Sequence, residues 1–145
     1  MSEQEYRRGS HTIYDVRYHL VWVTKYRYHV LTGEVARRVR ELVRQTCEAM
    51  DVRIVKGHVS KDHVHILVSC PTTVSPAKLM KQIKGRSSRR AQEEFAHLRK
   101  RYWGRHFWAR GYFCATVGRV TDEQIQDYIE GHDEEPPDPD FTIGD

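Results

Sequence analysis

Cysteine is scarce in this chain: Cys47, Cys70 and Cys114 are the only three in 145 residues, odd in number and far apart. They fit neither a disulfide framework nor a thiolate metal cluster, and they agree with a reducing cytoplasm, where such residues serve as small buried filler. Long hydrophobic runs are missing as well. No apolar stretch approaches the length of a membrane span, and residues 1–10 form a short polar tail without the hydrophobic core of a secretion signal. Acidic residues are sparse until the very end. Six of the 20 lie after His132, together with Pro136, Pro137 and Pro139, so residues 133–145 read as a disordered acidic tail. Residues 1–132 then hold 14 acidic against 24 basic residues, a net +10 with histidine neutral. A body of that charge points to a polyanion as partner, most often nucleic acid, with a basic but unspecialised surface as the alternative.

At 145 residues and 17.2 kDa the chain is long enough for one domain with one core, placed over residues 1–132. The chemistry concentrates in Lys61-Asp62-His63-Val64-His65-Ile66-Leu67-Val68-Ser69-Cys70, an aliphatic and β-branched strand. Alternation sends His63 and His65 to one face while Val64, Ile66 and Val68 enter a core from the other. Two imidazoles side by side on a rigid strand make a two-nitrogen metal chelate, although a pair of half-exposed histidines explains the same pattern.

Around that strand the other elements fall into order. His11 to Thr24 reads as a central strand, with Tyr14, Val16, Tyr18, Leu20 and Trp22 on one face and Ile13, Arg17, His19, Val21 and Val23 on the other. Lys25, Tyr26 and Arg27 form a basic, aromatic exit, either a contact that stacks on unpaired bases and holds phosphates or an aromatic strand end with solvated charges. Val35, Val39, Leu42 and Val43 recur at helical spacing, predicting a helix over Glu34 to Met50. Asp51 to Val59 is a second strand, joined by Ser60-Lys61-Asp62 to the histidine strand as a hairpin. Ser75-Pro76 caps a further helix. Gly85-Arg86-Ser87-Ser88 interrupts it, and another helix follows from Arg89 to Lys100. Lys81, Lys84, Arg86, Arg89 and Arg90 make this the most basic region, a solvated face or a phosphate contact. An aromatic-basic loop around Trp103 leads to a last strand, Phe107 to Val117. Gly118 then stands as a turn or hinge before a final helix opened by the Thr121 to Gln124 capping box. On that helix Tyr128 and His132 are neighbours one turn apart, at the border of the apolar stripe. The first six elements are βαββαβ, an α+β, ferredoxin-like or RRM-like arrangement of antiparallel sheet with helices on one face and the other face open to a ligand.

Several stretches converge on a family. Tyr18-His19-Leu20-Val21-Trp22-Val23-Thr24-Lys25-Tyr26-Arg27, Asp62-His63-Val64-His65, Ile83-Lys84-Gly85-Arg86-Ser87, Trp103-Gly104, Trp108-Ala109-Arg110-Gly111-Tyr112-Phe113 and Tyr128-Ile129 stand in the order found in single-tyrosine HUH transposases of the TnpA type, the insertion-sequence 200/605 group. The chain resembles them from about Thr12 to His132. The resemblance implies a DNA transposase of the prokaryotic cytoplasm that cuts and rejoins single-stranded DNA at hairpin-marked element ends. It implies that His63 and His65 bind Mg2+ or Mn2+, and that Tyr128, on a C-terminal catalytic helix, attacks DNA to form a 5′-phosphotyrosine. It also implies a homodimer with active sites shared between subunits, and no membrane association. The family's third ligand is usually Gln or Asn four residues after the tyrosine. His132 occupies that position here, with Gln124 one turn before Tyr128 as the fallback. A non-catalytic single-strand-binding module on the same fold and a domesticated repeat-processing relative are the alternatives.

Overall fold

The computed structural model describes residues 6–103, 105–116 and 122–132. Gly118 and Thr121, and with them the expected hinge and the start of the capping box, lie outside the described residues, as does the acidic tail. A two-stranded ribbon, β1 (Arg7–Arg8) with β2 (Ile13–Tyr14), precedes the main sheet. The sheet contains β3 (Arg17–Val23), β4 (Arg53–Val59), β5 (His63–Ser69) and β6 (Phe113–Thr116), all antiparallel, in the order β4-β5-β3-β6. Helices α1 (Gly33–Ala49) and α2 (Pro76–Glu94) complete the expected βαββαβ frame, followed by α3 (Ala96–Tyr102) and α4 (Asp122–Glu130). Among the described residues, no helix is long and apolar enough to cross a membrane.

Alternation in β3 and β5 divides the interior into two clusters. Leu20 and Trp22 of β3 meet Val64, Ile66 and Val68 of β5 beneath Val35, Val39 and Val43 of α1 and Leu79, Met80 and Ile83 of α2. On the opposite face Val21 and Val23 pack against Ile125 and Ile129 of α4, with Phe113 and Tyr128 at the margin. The large core thus fixes the sheet from one side, and among the described residues the other side carries a single helix, α4.

Three boundaries differ from the sequence expectation. The first strand is split: β3 begins at Arg17 opposite Ser69, one further backbone bond joins the Cys70 N–H to the Val16 carbonyl at 2.8 Å, and Ile13–Tyr14 pair with Arg7–Arg8 instead. Arg7 is also tied to the body, its guanidinium donating to the Ser69 and Asp51 carbonyls at 2.9 and 3.0 Å. α2 runs straight through Gly85 to Glu94, where Phe95 adopts an extended backbone and ends it. Ser87 does not break the helix because its hydroxyl donates back to the Ile83 carbonyl at 2.6 Å. The last strand begins only at Phe113. Phe107 and Trp108 are buried, Trp108 bridges Thr24 at the end of β3, and Gly111 takes a left-handed φ of 76° that re-aims the chain into β6. The N-cap Ser75 accepts from the Lys78 N–H at 3.1 Å with Pro76 at the first helical position, as the sequence indicates.

Candidate active site

The turn before β5 is pinned by backbone bonds. The Thr24 N–H donates to the Asp62 carbonyl at 2.9 Å, Leu31 N–H to Lys61 at 2.9 Å and Ser60 N–H to His63 at 2.8 Å. The Thr24 hydroxyl, fully buried, adds a bond to the Tyr28 carbonyl at 2.8 Å. These anchors hold Asp62 and the start of β5 rigidly, so His63 leaves a fixed point. Its side chain shares one sheet face with His65, as alternation requires.

Asp62 is 95% removed from solvent and its carboxylate accepts from His63 Nδ1 at 2.8 Å, while Arg27 Nε lies 3.4 Å from its other oxygen. The His63 hydrogen bond, then the nearby cationic groups, hold the Asp62 carboxyl below the usual carboxylate range. A carboxylate on Nδ1 orients the ring and leaves Nε2 as the nitrogen that could bind a ligand, the arrangement commonly found behind a metal-bound histidine. His132 is prepared in the same manner. Its Nδ1–H donates to the Tyr128 carbonyl at 2.9 Å, which directs the Nε2 lone pair outward. His65 is arranged differently, with Nε2 lying 3.1 Å from Nδ1 of His19.

Tyr128 is half-buried; its ring stands 4.7 Å from His132 and 5.5 Å from Phe113, centroid to centroid. Burial pushes its phenol above the ordinary 10.0. In the sheet register Phe113 and His65 flank Val21 on opposite sides. Two strand spacings, about 10 Å, therefore separate the Phe113 and His65 backbones. The structure brings His63 and His65 together, and brings Tyr128 and His132 together, but within one chain it does not bring the two pairs into contact. Among the described residues no three potential metal-ligating groups converge. Gln124 is exposed on α4. The donor set, imidazoles with hydrogen-bonded Nδ1 atoms at His63 and His132, fits a divalent first-row cation better than a cage for Mg2+, which prefers oxygen.

The basic candidates divide into anchored and exposed groups. Lys84 Nζ donates to the Ala109 and Gly111 carbonyls at 2.7 and 2.9 Å, and Arg86 donates to Gln45 Oε1 at 2.8 Å, so both stitch elements together. Burial lowers the Lys84 ammonium from its usual range. Lys81, Arg89 and Arg90 are exposed on α2, the latter two 4.0 Å from Glu93. Tyr26 and Trp103 are 42% and 81% exposed, both at positive φ, and Lys25 Nζ lies 5.4 Å from the Tyr26 ring centroid. A cleft of about 940 Å3 opens between α2 and the 105–110 loop, lined by Lys25, Lys84, Arg89, Arg99, Arg105 and Arg110. The sequence reading missed two contributors. Asp62 was signalled by its place next to His63, whereas His19 needed the strand register.

Comparison with known proteins gives a consistent picture. The family model described as "Transposase IS200 like" matches residues 12–132. The transposase for insertion sequence element IS200 of Salmonella typhimurium is 40% identical over 126 residues, covering 87% of this chain and 82% of that protein. The ISDra2 transposase TnpA of Deinococcus radiodurans is 36% identical over 132 residues, covering 90% and 94%. A crystal structure of a transposase candidate from Deinococcus radiodurans superposes with a TM-score of 0.82 at 34% identity, covering 89% of this chain and 99% of that one. A REP-associated tyrosine transposase solved with a REP hairpin shares the fold, with a TM-score of 0.55 at 18% identity over 89% of this chain and 70% of that one.

Proposed function

The chain belongs to the IS200-like transposase family, and from that premise we propose that it cleaves and rejoins single-stranded DNA through a covalent bond to Tyr128, assisted by a divalent metal at His63, His65 and His132. The observation that carries this reading is the buried Asp62 carboxylate held 2.8 Å from His63 Nδ1, which turns the His63 Nε2 toward the sheet face that carries α4.

The chemical problem is a weak nucleophile and a repelling electrophile. A phenol near pKa 10 is protonated at neutral pH, and a phosphodiester anion turns other anions away. Held by His63, His65 and His132, Mn2+ or Mg2+ would supply positive charge to offset the charge developing on the phosphate. Tyr128 Oη forms the bond to phosphorus and gives up its proton, and the 3′ oxygen departs and takes one. The phosphate ester energy stays in the 5′-phosphotyrosine, so a second 3′-OH can displace the tyrosine and reseal the strand without ATP. The half-buried setting of Tyr128 limits water around the adduct.

The separation of Tyr128 from His65 by the Val21 row supports a homodimer in which α4 of each subunit serves the histidines of the other. Lys25, Arg89, Arg99, Arg105 and Arg110 line a basic cleft suited to phosphates, with Tyr26 and Trp103 exposed as stacking surfaces. A hairpin-marked substrate suits this division between a basic groove and a separate cutting site, and a distant fold relative binds a REP hairpin. Incubation with labelled single-stranded DNA from the flanks of the gene and Mn2+ tests the reading. An SDS-stable protein–DNA adduct is expected, lost in Tyr128→Phe and reduced at least 100-fold in His63→Ala. An undiminished adduct in Tyr128→Phe removes Tyr128 from the nucleophile role.

A further inference from the structure

His19 lies on the same sheet face as His63 and His65, and no step above uses it. We propose that His19 is a positioning residue that holds His65 in a waiting orientation, so that loading the metal requires the His19–His65 contact to open. This inference rests on the metal reading given above.

The strand register sets the geometry. His65 stands opposite Val21 and His19 opposite Leu67, so the two imidazoles meet on a diagonal between β3 and β5. Their ring centroids are 5.3 Å apart at 34°. To reach His19, the His65 ring leans toward the Leu67 end of β5, away from His63. The nitrogen engaged is Nε2, at 3.1 Å from His19 Nδ1.

The consequence does not depend on which nitrogen carries the proton. If His19 donates, the His65 Nε2 lone pair is occupied by that proton. If His65 donates, Nε2 carries a hydrogen and has no lone pair to offer a cation. Either state blocks coordination through the ring tip. The tip is the relevant atom, because His63 has Nδ1 committed to Asp62 and presents Nε2. A cation at the height of that nitrogen meets His65 at its far nitrogen, not at the one beside the backbone. His65 is turned to its neighbour on β3, and metal entry exchanges one hydrogen bond for one coordination bond.

The test is a titration of the full chain with Mn2+, following the electron paramagnetic resonance signal of the unbound ion. One neutral hydrogen bond no longer opposing coordination translates into binding about 2- to 10-fold tighter in His19→Leu. His19→Asn, whose side-chain amide can re-form the bond from near the Nδ1 position, is expected to return the wild-type affinity. His19→Val, which suits a strand, gives the same measurement if leucine unsettles β3. Equal or weaker Mn2+ binding in folded His19→Leu and His19→Val, with His65→Ala losing the ion, overturns this role for His19 and leaves the metal site standing. Wild-type Mn2+ affinity in His65→Ala overturns the metal site itself, and the latch with it.

Discussion

Ser87 joins a helix to a loop through one hydroxyl. It donates to Ile83 at 2.6 Å and accepts from the buried Trp108 indole N–H at 2.9 Å. Ser87→Ala strands that N–H in the large core, and a loss of about 1–3 kcal/mol is expected in urea unfolding. The same logic applies to Asp62, whose carboxylate orients His63. Asp62→Ala should weaken Mn2+ binding about 10- to 100-fold in the titration described above, with His63 still present. At this scale the sequence was legible wherever period-two alternation sufficed. His63 and His65 share a face because they are two residues apart on a strand. The contact of His65 with His19 was not legible, because it depends on which residues of β3 and β5 stand opposite one another. Lys84 was misleading in a related way. It sits in a cationic run, yet its ammonium is committed to two carbonyls of the 109–111 turn.

At the scale of elements, α2 was the main surprise. Gly85 suggested a break, but a Cβ built there meets nothing within 4 Å and the helix continues through it. Gly85→Ala is therefore expected to stabilise the protein by about 0.5–1 kcal/mol, visible as a higher melting temperature; a lower one would show that the position needs glycine. α1, the β4–β5 hairpin and the Ser75 cap were readable because each rests on local periodicity or cap chemistry. The start of β6 was not, because burial of Phe107 and Trp108 against Trp22 and Tyr102 is a tertiary matter. α4 rests on Ile125 and Ile129 over two valines, whereas β3 and β5 are sheathed by the main core. Native-state hydrogen exchange should find α4 amides exchanging at least 100-fold faster than those of Leu20 and Ile66. Equal protection would mean that α4 opens only with the whole domain.

For the whole molecule, alkaline stability follows from two buried thiols. Burial pushes Cys47 up to about 12 and Cys70 up to about 11, against 9.0 for an ordinary thiol. Between those values the unfolded chain binds fewer protons than the folded one, so stability is complete below pH 9 and falls as pH rises toward 11 and 12. The urea midpoint should decline over that interval, and Cys47→Ala should shallow the decline. Assembly has its own test. Mixing Tyr128→Phe with His65→Ala pairs an intact histidine pair with an intact tyrosine only if α4 serves the other subunit. DNA adduct should reappear in the mixture, and continued inactivity after verified subunit exchange would place each site within one chain. The βαββαβ order was readable from element spacing, but the relation of Tyr128 to the histidines was not, since no local pattern says how far α4 travels. β3 is clamped from one side by the bulk of the interior and touched from the other by a light cap. A protein built in this manner can let α4 lift away and settle elsewhere while the imidazoles of β5 keep their places, so that a rearrangement on one side leaves the rest of the fold undisturbed.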